Sequence, residues 1–125
     1  MNLETTVVVI GPDQSAVTVP VTPTLYQDLD RDFDGFKGRS LVGQHLFTGD
    51  WPSWEIHPAG DEMVILVSGK ARMVLDESSG HRTVDLAAPG DFVLVPKGTW
   101  HTAHISTPTR LLFITPGQGT ENRDA

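Results

Sequence analysis

The chain has 125 residues, no cysteine, and a formal net charge of −7 at pH 7. This length predicts a single domain over residues 1–125, and the absence of cysteine excludes disulfides, thiolate metal sites and a cysteine nucleophile. The acidic balance argues against nucleic acid as a partner, because a nucleic-acid-binding surface needs clustered positive charge.

The first residues, Met1–Gly11, hold one acidic side chain and a short apolar run, without the basic start of a signal peptide. No segment approaches the roughly 20 apolar residues that a membrane span needs. These features predict a cytoplasmic protein that does not associate with membranes.

Short strands are predicted in chain order from apolar or alternating runs that glycine, proline and serine turns separate. Ten are expected: Thr5–Ile10, Ala16–Val21, Ser40–Phe47, Ser53–His57, Met63–Val67, Lys70–Leu75, Arg82–Leu86, Phe92–Val95, Trp100–Ile105 and Arg110–Ile114. Strands this short need a barrel or a two-sheet sandwich, because an open sheet leaves two unpaired edges. The pattern therefore predicts an all-β fold.

The two ends of the chain differ from this pattern. In the N-terminal arm, residues 1–39, Leu25, Leu29 and Phe33 recur at a spacing of four. This spacing predicts one or two helical turns within Thr24–Asp34. The C-terminal tail, residues 117–125, is polar, and it is predicted to be loose or to pack along a neighbouring chain.

Four side chains in the middle of the chain have the types and spacing of a metal site. Glu55 and His57 are two residues apart, so a strand directs both to the same face. A tight turn over residues 58–61 then allows Glu62 to return beside His57, and His101 follows a second turn near Gly98. Two imidazoles and two carboxylates suit a borderline divalent metal. Their convergence on one point is a hypothesis at this stage.

Two segments resemble the sequence motifs of the cupin superfamily. Residues 49–69 read G-DWPSW-E-I-H-PAGD-E-MVILVS-G, with the spacing of the first cupin motif and Glu55 at the place of its first histidine. Residues 90–105 read G-DFVLV-P-K-G-TW-H-TAH-I, with the spacing of the second motif and Ile105 at the place of its asparagine. Over residues 49–105 the chain thus resembles small stand-alone bacterial cupins that carry Glu-x-His in motif one.

The resemblance implies a double-stranded β-helix, a jelly-roll barrel of two antiparallel sheets, with one divalent metal in its mouth. Carried over by position, the metal ligands would be Glu55, His57, Glu62 and His101, and the ion would be Fe²⁺, Zn²⁺, Ni²⁺ or Mn²⁺. Three roles stay open for Glu55: metal ligand, catalytic general base, or bystander. Without Glu55, the other three form the two-histidine, one-carboxylate set that suits a non-haem iron(II) oxygenase.

Other polar residues carry weaker expectations. His104 is odd-spaced from His101 and is expected to face away from the metal, whereas His81 follows a turn and is expected to be solvated. His45 has equal chances of lying inside or outside the barrel. Arg72 is interpreted either as a barrel-wall contact for a substrate carboxylate or as a surface charge.

The apolar residues are assigned mainly to packing. Trp51, Trp54 and Trp100 are interpreted as core or interface residues rather than as a stacking surface for a substrate. Alternation along the strands predicts an apolar barrel lining, and the candidates are Val64, Leu66, Phe92, Leu94 and Phe113.

A metal at the base of an apolar pocket predicts a metalloenzyme for a small oxygenated organic substrate, of dioxygenase, isomerase or cyclase type. The alternative is a cupin that binds a small ligand or a metal without turnover, since the fold hosts both. The resemblance also implies a homodimer that pairs through its N-terminal strands. The β-branched run Thr5–Ile10 suits that role, since left unpaired it would be an exposed sheet edge.

Overall fold

The computed structural model describes residues 1–125 as two antiparallel sheets with one α-helix, which confirms the all-β, two-sheet prediction. The strands are β1 Thr6–Ile10, β2 Ala16–Pro20, β3 Ser40–Phe47, β4 Ser53–Ile56, β5 Glu62–Ser68, β6 Ala71–Glu77, β7 Gly80–Leu86, β8 Phe92–Val95, β9 His101–His104, β10 Thr109–Thr115 and β11 Glu121–Asp124. The helix α1 spans Leu25–Asp32, and a 3₁₀ turn follows at Asp34–Phe36. All ten predicted strands are present, with ends shifted by at most two residues.

The strand order folds the chain into a barrel-like sandwich. One sheet has six strands in the order β2-β1-β3-β10-β5-β8, and the other has five in the order β11-β4-β9-β6-β7. The main core lies between the sheets and includes Val64, Leu66, Met73, Leu75 and Leu111, all of which are fully buried. The strands β5, β6 and β8 contribute alternate residues to this core because side chains alternate across a pleated sheet.

The predicted barrel lining is correct for β5 and wrong for β8. Val64 and Leu66 are buried, and Phe113 packs against the core. Phe92 and Leu94, however, are 52% and 55% exposed. β8 pairs with β5 so that Phe92 lies opposite Ile65 on the outer face, and the intervening valines of β8 point inward. All four residues of β8 are apolar, so its sequence fits either face equally well.

The N-terminal arm covers the inner surface of the six-stranded sheet at one end. Val7 and Val9 of β1 form a second core cluster with Leu25 and Leu29 of α1 and with Phe36. The helix has eight residues, just over two turns, as the leucine spacing predicts. No helix in the structure has the length and apolar character needed to cross a membrane.

Two expectations for the ends of the chain are wrong. The strand β1 lies between β2 and β3 rather than at an edge, so Thr5–Ile10 is not free to extend a neighbouring sheet. The tail, residues 117–125, is not loose: β11 pairs with β4 at the edge of the five-stranded sheet. Arg123 holds this strand in place, because its guanidinium lies 4.6 Å from the Trp100 ring and 3.1 Å from a carboxylate oxygen of Asp76.

Candidate metal centre

The topology brings the four predicted metal ligands to one point inside the barrel. Glu55 lies on β4, His57 directly follows that strand, Glu62 begins β5, and His101 begins β9. Glu55 pairs directly with His101 across the β4–β9 contact. The two motif turns are also tied together, because the backbone N–H of Gly98 donates to the carbonyl of His57 at 3.1 Å.

The distances within the cluster separate three inner side chains from a fourth. A carboxylate oxygen of Glu62 lies 3.0 Å from His101 Nε2, and the other lies 3.3 Å from His57 Nε2. Glu55 stands farther out, at 3.7 Å from His57 Nε2 and 4.0 Å from His101 Nε2. The ligand atoms of Glu55, His57 and His101 all lie within 4.8 Å of one another. Glu55 is also the most exposed of the four, since 35% of its side chain is accessible.

Hydrogen bonds outside the cluster direct both Nε2 atoms toward its centre. His101 Nδ1 lies 3.0 Å from the carbonyl oxygen of Thr99, and a carbonyl only accepts, so Nδ1 carries the proton. The hydroxyl of Thr120 donates to the Gly117 carbonyl, so it accepts from His57 Nδ1 at 2.8 Å. Each neutral imidazole therefore presents an Nε2 lone pair to the site, as metal-ligating histidines do. Thr115 Oγ1 likewise orients Glu62 by donating to Oε2 at 2.6 Å.

With both imidazoles neutral, the inner atoms of the cluster are buried and have no hydrogen-bond partner. These atoms are His57 Nε2, Glu62 Oε1 and His101 Nε2. An unpaired buried polar atom costs about 1–3 kcal/mol, so three around one point indicate that another group completes them. Ligands bound about 2.1 Å from one ion lie roughly 3–3.5 Å apart, which matches the inner distances. The side chains present therefore fit a divalent cation.

The electrostatics also distinguish Glu55 from Glu62. In the absence of a metal, burial acts to raise the pKa of Glu62, but the imidazoles of His101 and His57, which when protonated donate to it and carry positive charge, outweigh burial and lower the pKa to about 2. Burial raises the pKa of Glu55, and the negative charge of Glu62 raises it further. The inner carboxylate is thus held ionised, while the outer one accepts a proton more readily than an ordinary glutamate.

The depressed pKa of Glu62 predicts a pH-dependent stability in the presence of a chelator. The lowering from 4.5 to about 2 corresponds to about 3 kcal/mol, present above pH 4.5 and lost as pH falls toward 2, because the unfolded chain binds this proton first. We expect urea unfolding to show a stability difference between wild type and Glu62→Gln that shrinks by more than half from pH 6 to pH 3. A stability difference that stays constant from pH 6 to pH 3 would show that the pKa of Glu62 is not lowered by folding.

A cavity of about 770 Å³ opens above the cluster, between α1 and the inner faces of the two sheets. Its wall includes Glu55, His57 and Glu62 at the base, with Phe47 and Phe113 beside them. Trp51 also lies in the wall, and its ring packs 6.1 Å from that of His101. Such a volume is typical of a site for a small organic molecule.

The structure also locates the other histidines and Arg72, for which the expectations from sequence were weaker. His104 faces outward and lies 3.4 Å from Asp50, and His81 is exposed, as expected. His45 lies in the cavity wall, edge-on to Phe47. Arg72 forms a surface ion pair with Asp85 and is not part of the wall, so of its two interpretations the surface charge is correct.

Sequence reasoning missed the threonines that orient the ligands. The sequence did carry a signal for Thr115, because this residue follows Phe113 by two positions in β10 and therefore lies on the same face of the strand. Thr120 carried no signal, because it lies in the polar tail that was expected to be loose. Its contact with His57 depends on the pairing of β11 with β4.

Comparisons with known proteins bear on the family and the fold of this chain. Residues 44–115 match the family described as Cupin domain. A search of curated proteins finds no match. Among solved structures, a cupin superfamily protein from Desulfitobacterium hafniense shares 23% identity at a TM-score of 0.51, over 61% of this chain and 65% of that chain.

Two oxalate-processing enzymes are also structurally similar. Bacillus subtilis oxalate decarboxylase, studied for its Mn(II) centres, shares 26% identity at a TM-score of 0.54, over 69% of this chain and 23% of that chain. An oxalate oxidase shares 15% identity at a TM-score of 0.55, over 65% of this chain and 44% of that chain. This chain therefore spans less than two thirds of each of these proteins, and the similarities below 25% identity show the fold alone. The family match covers more than half of the chain: this protein belongs to the cupin domain family.

Proposed function

We propose that this cupin binds one divalent metal through His57, Glu62 and His101, with Glu55 as an outer fourth ligand or base, and acts as a metalloenzyme on a small oxygenated organic substrate. The observation that carries the proposal is the set of three buried, unpartnered atoms that face one point. The Mn(II) centres of Bacillus subtilis oxalate decarboxylase support manganese as one candidate ion. The nitrogen and oxygen donors equally suit Fe²⁺, Zn²⁺ or Ni²⁺.

A bound divalent ion would supply Lewis-acid chemistry to a substrate oxygen. The protein's own side chains divide the remaining work. Glu62, held ionised by the imidazoles, offsets positive charge. Glu55 borders the cavity and has a raised pKa, so its carboxylate is placed to take a proton from a substrate and to return it. Leu25 and Leu29 of α1 cover the cavity and limit access of water.

The proposal is tested by turnover with a matched variant. Protein loaded separately with each candidate metal is exposed to 1,3-dicarbonyls, catechols and flavonoids, with oxygen uptake and product NMR as readouts. We expect turnover of at least one class, and a loss of about 100-fold or more in Glu55→Gln, because a general base typically contributes 10²–10⁴ in rate. Metal content should fall far less, because the three inner ligands remain.

Two outcomes would contradict different parts of the proposal, the turnover and the role of Glu55. Stoichiometric metal without turnover of any compound would favour a cupin that binds a metal or ligand without catalysis. Unchanged turnover in Glu55→Gln would leave the metalloenzyme proposal in place and make Glu55 a bystander.

We further propose that residues 1–125 form one domain that assembles as a homodimer, through the outer face of the six-stranded sheet rather than through β1. Two apolar rows cross this face. In each row, every residue is paired with the next one on the neighbouring strand. The first row consists of Phe92, Ile65 and Leu112, and the second of Leu94, Met63, Ile114, Val42 and Val8. None of these residues is fully buried in the single chain. A contiguous apolar surface on a soluble protein marks an interaction site, and an isologous pair of such faces would cover it.

Light scattering tests this assembly. We expect wild type at about twice 13.6 kDa and Leu94→Lys at 13.6 kDa, because a lysine at the β8 end of the apolar rows places a charge in the interface. Val17→Lys, on the opposite edge strand β2, is the control and should remain dimeric. A monomeric wild type, or a dimeric Leu94→Lys variant, would refute this interface.

A further inference from the structure

We propose that the cavity selects an uncharged ligand with a carbonyl-type oxygen and an apolar body, and that it discriminates against carboxylates, oxalate included. This inference rests on the metal centre proposed above and names the class of molecule that the centre receives. It separates this chain from its oxalate-processing structural neighbours. Three features of the cavity carry it: the charge of its wall, its size and apolar lining, and one unpaired hydrogen-bond donor.

The cavity wall contains no lysine or arginine but has four carboxylates, Glu4, Asp30, Glu55 and Glu62. Glu4 is paired with Arg110, which lies outside the wall, at 3.4 Å. Asp30 has no ion-pair partner. Two glutamates balance the charge of a divalent ion, so an incoming carboxylate finds no net positive charge. It instead faces the carboxylate of Asp30, and no cation in the wall attracts it.

The size and lining of the cavity favour a molecule with an apolar body. Oxalate has six non-hydrogen atoms, whereas a cavity of about 770 Å³ falls in the range that holds drug-sized ligands. Leu25 and Leu29 of α1 line one side, and Phe47 and Phe113 line the side that approaches the metal site. Filling this space requires an aromatic or aliphatic group attached to the oxygens that face the metal site.

The indole of Trp51 supplies a hydrogen-bond donor for that ligand. Trp51 is only 6% exposed, lies in the cavity wall, and its Nε1 has no hydrogen-bond partner in the protein. Buried indole N–H groups are normally paired. An oxygen that enters between the rings of Trp51 and His101, whose centroids lie 6.1 Å apart, would accept this bond.

Calorimetric titration of the Zn²⁺-loaded protein at pH 8 tests the charge preference with a matched pair of probes. Phenylacetone and phenylacetate share a benzyl group and a carbonyl carbon, and differ in a methyl group against a carboxylate oxygen, so that only the second is charged at pH 8. We expect phenylacetone to bind at least about tenfold more tightly than phenylacetate, and oxalate to bind more weakly than either. Equal or tighter binding of phenylacetate or oxalate would overturn the inference.

A preceding Zn²⁺ titration, with elemental analysis after each ligand titration, distinguishes a failure of the metal centre from a failure of the ligand preference. Absence of Zn²⁺ binding would refute the metal centre and the inference together. Stoichiometric Zn²⁺ with no preference for the uncharged probe would refute the inference alone.

Two variants test the structural causes separately. His45→Arg adds a cation to the cavity wall and should tighten phenylacetate binding about tenfold with little effect on phenylacetone, while the outer variant His81→Arg should change neither. Trp51→Phe keeps an aromatic side chain and removes the N–H. It should weaken phenylacetone binding about tenfold in a chain that circular dichroism shows to be folded. An unchanged probe preference in His45→Arg, or unchanged phenylacetone affinity in a folded Trp51→Phe, would overturn the assigned cause.

Discussion

Replacing His101 with alanine is expected to reduce the affinity for a divalent metal by at least about 100-fold, since even the groups that support metal ligands contribute 10–100-fold. His101 is fully buried and supplies one of two histidine nitrogens at the centre of the cluster. In wild type, metal at 100 times its dissociation constant should stabilise the fold by about 2.7 kcal/mol. For a chain of this size, that corresponds to a rise in Tm of roughly 10 °C. The variant should show almost no rise.

Two control variants distinguish a loss of metal binding from a folding defect. His104→Ala removes an exposed imidazole three residues away on the same strand and should retain the full metal-induced rise in Tm. His101→Gln keeps more of the buried volume and a polar atom, so circular dichroism should show a folded chain that still lacks tight metal binding. Retention of wild-type affinity in a folded His101 variant would contradict the ligand assignment.

The second large effect is expected at the glycine that closes the first motif. Gly69 has φ +86°, and a Cβ there would lie 2.5 Å from the Pro108 carbonyl oxygen and 2.7 Å from the Thr109 Cα. Both atoms belong to backbone, so the clash cannot be relieved by a side-chain rotation. Gly69→Ala should therefore lower the free energy of unfolding by about 3 kcal/mol or more, from the clash and the left-handed backbone together. Chemical denaturation measures this loss.

Gly90, the first glycine of the second motif, provides a matched control. Its φ is +95°, but a Cβ there would meet no atom within 4 Å. Gly90→Ala should thus show the cost of the backbone conformation alone, about 1 kcal/mol. Equal losses of unfolding free energy in the two variants would mean that close packing at Gly69 does not contribute to stability beyond the backbone conformation.

The sequence was most informative where local chemistry is strong. The turns that end the strands and the helical spacing of Leu25 and Leu29 predicted elements that the structure contains. The spacing of Glu55, His57, Glu62 and His101 predicted side chains that the two sheets bring within a few ångströms. Turn residues and period-two alternation act over a few neighbouring residues, so they are legible in one sequence.

The errors arose where long-range pairing decides the outcome. In β8 all four residues are apolar, so only its register with β5 places Phe92 and Leu94 outside. The polar tail becomes a strand because β4 offers an open edge, and because Arg123 finds Trp100 and Asp76 there. No local pattern in the tail indicates this pairing. Thr120, which holds His57 in the orientation that a metal needs, was therefore missed as well.

The central claim is a divalent metal held by His57, Glu62 and His101, with Glu55 as the outer group. The most direct test is a crystal structure with anomalous diffraction recorded at the absorption edges of manganese, iron, nickel and zinc. We predict one anomalous peak per chain, about 2.0–2.2 Å from the Nε2 atoms of His57 and His101 and from a carboxylate oxygen of Glu62. Crystals grown with excess metal that show no peak between these side chains would contradict the claim.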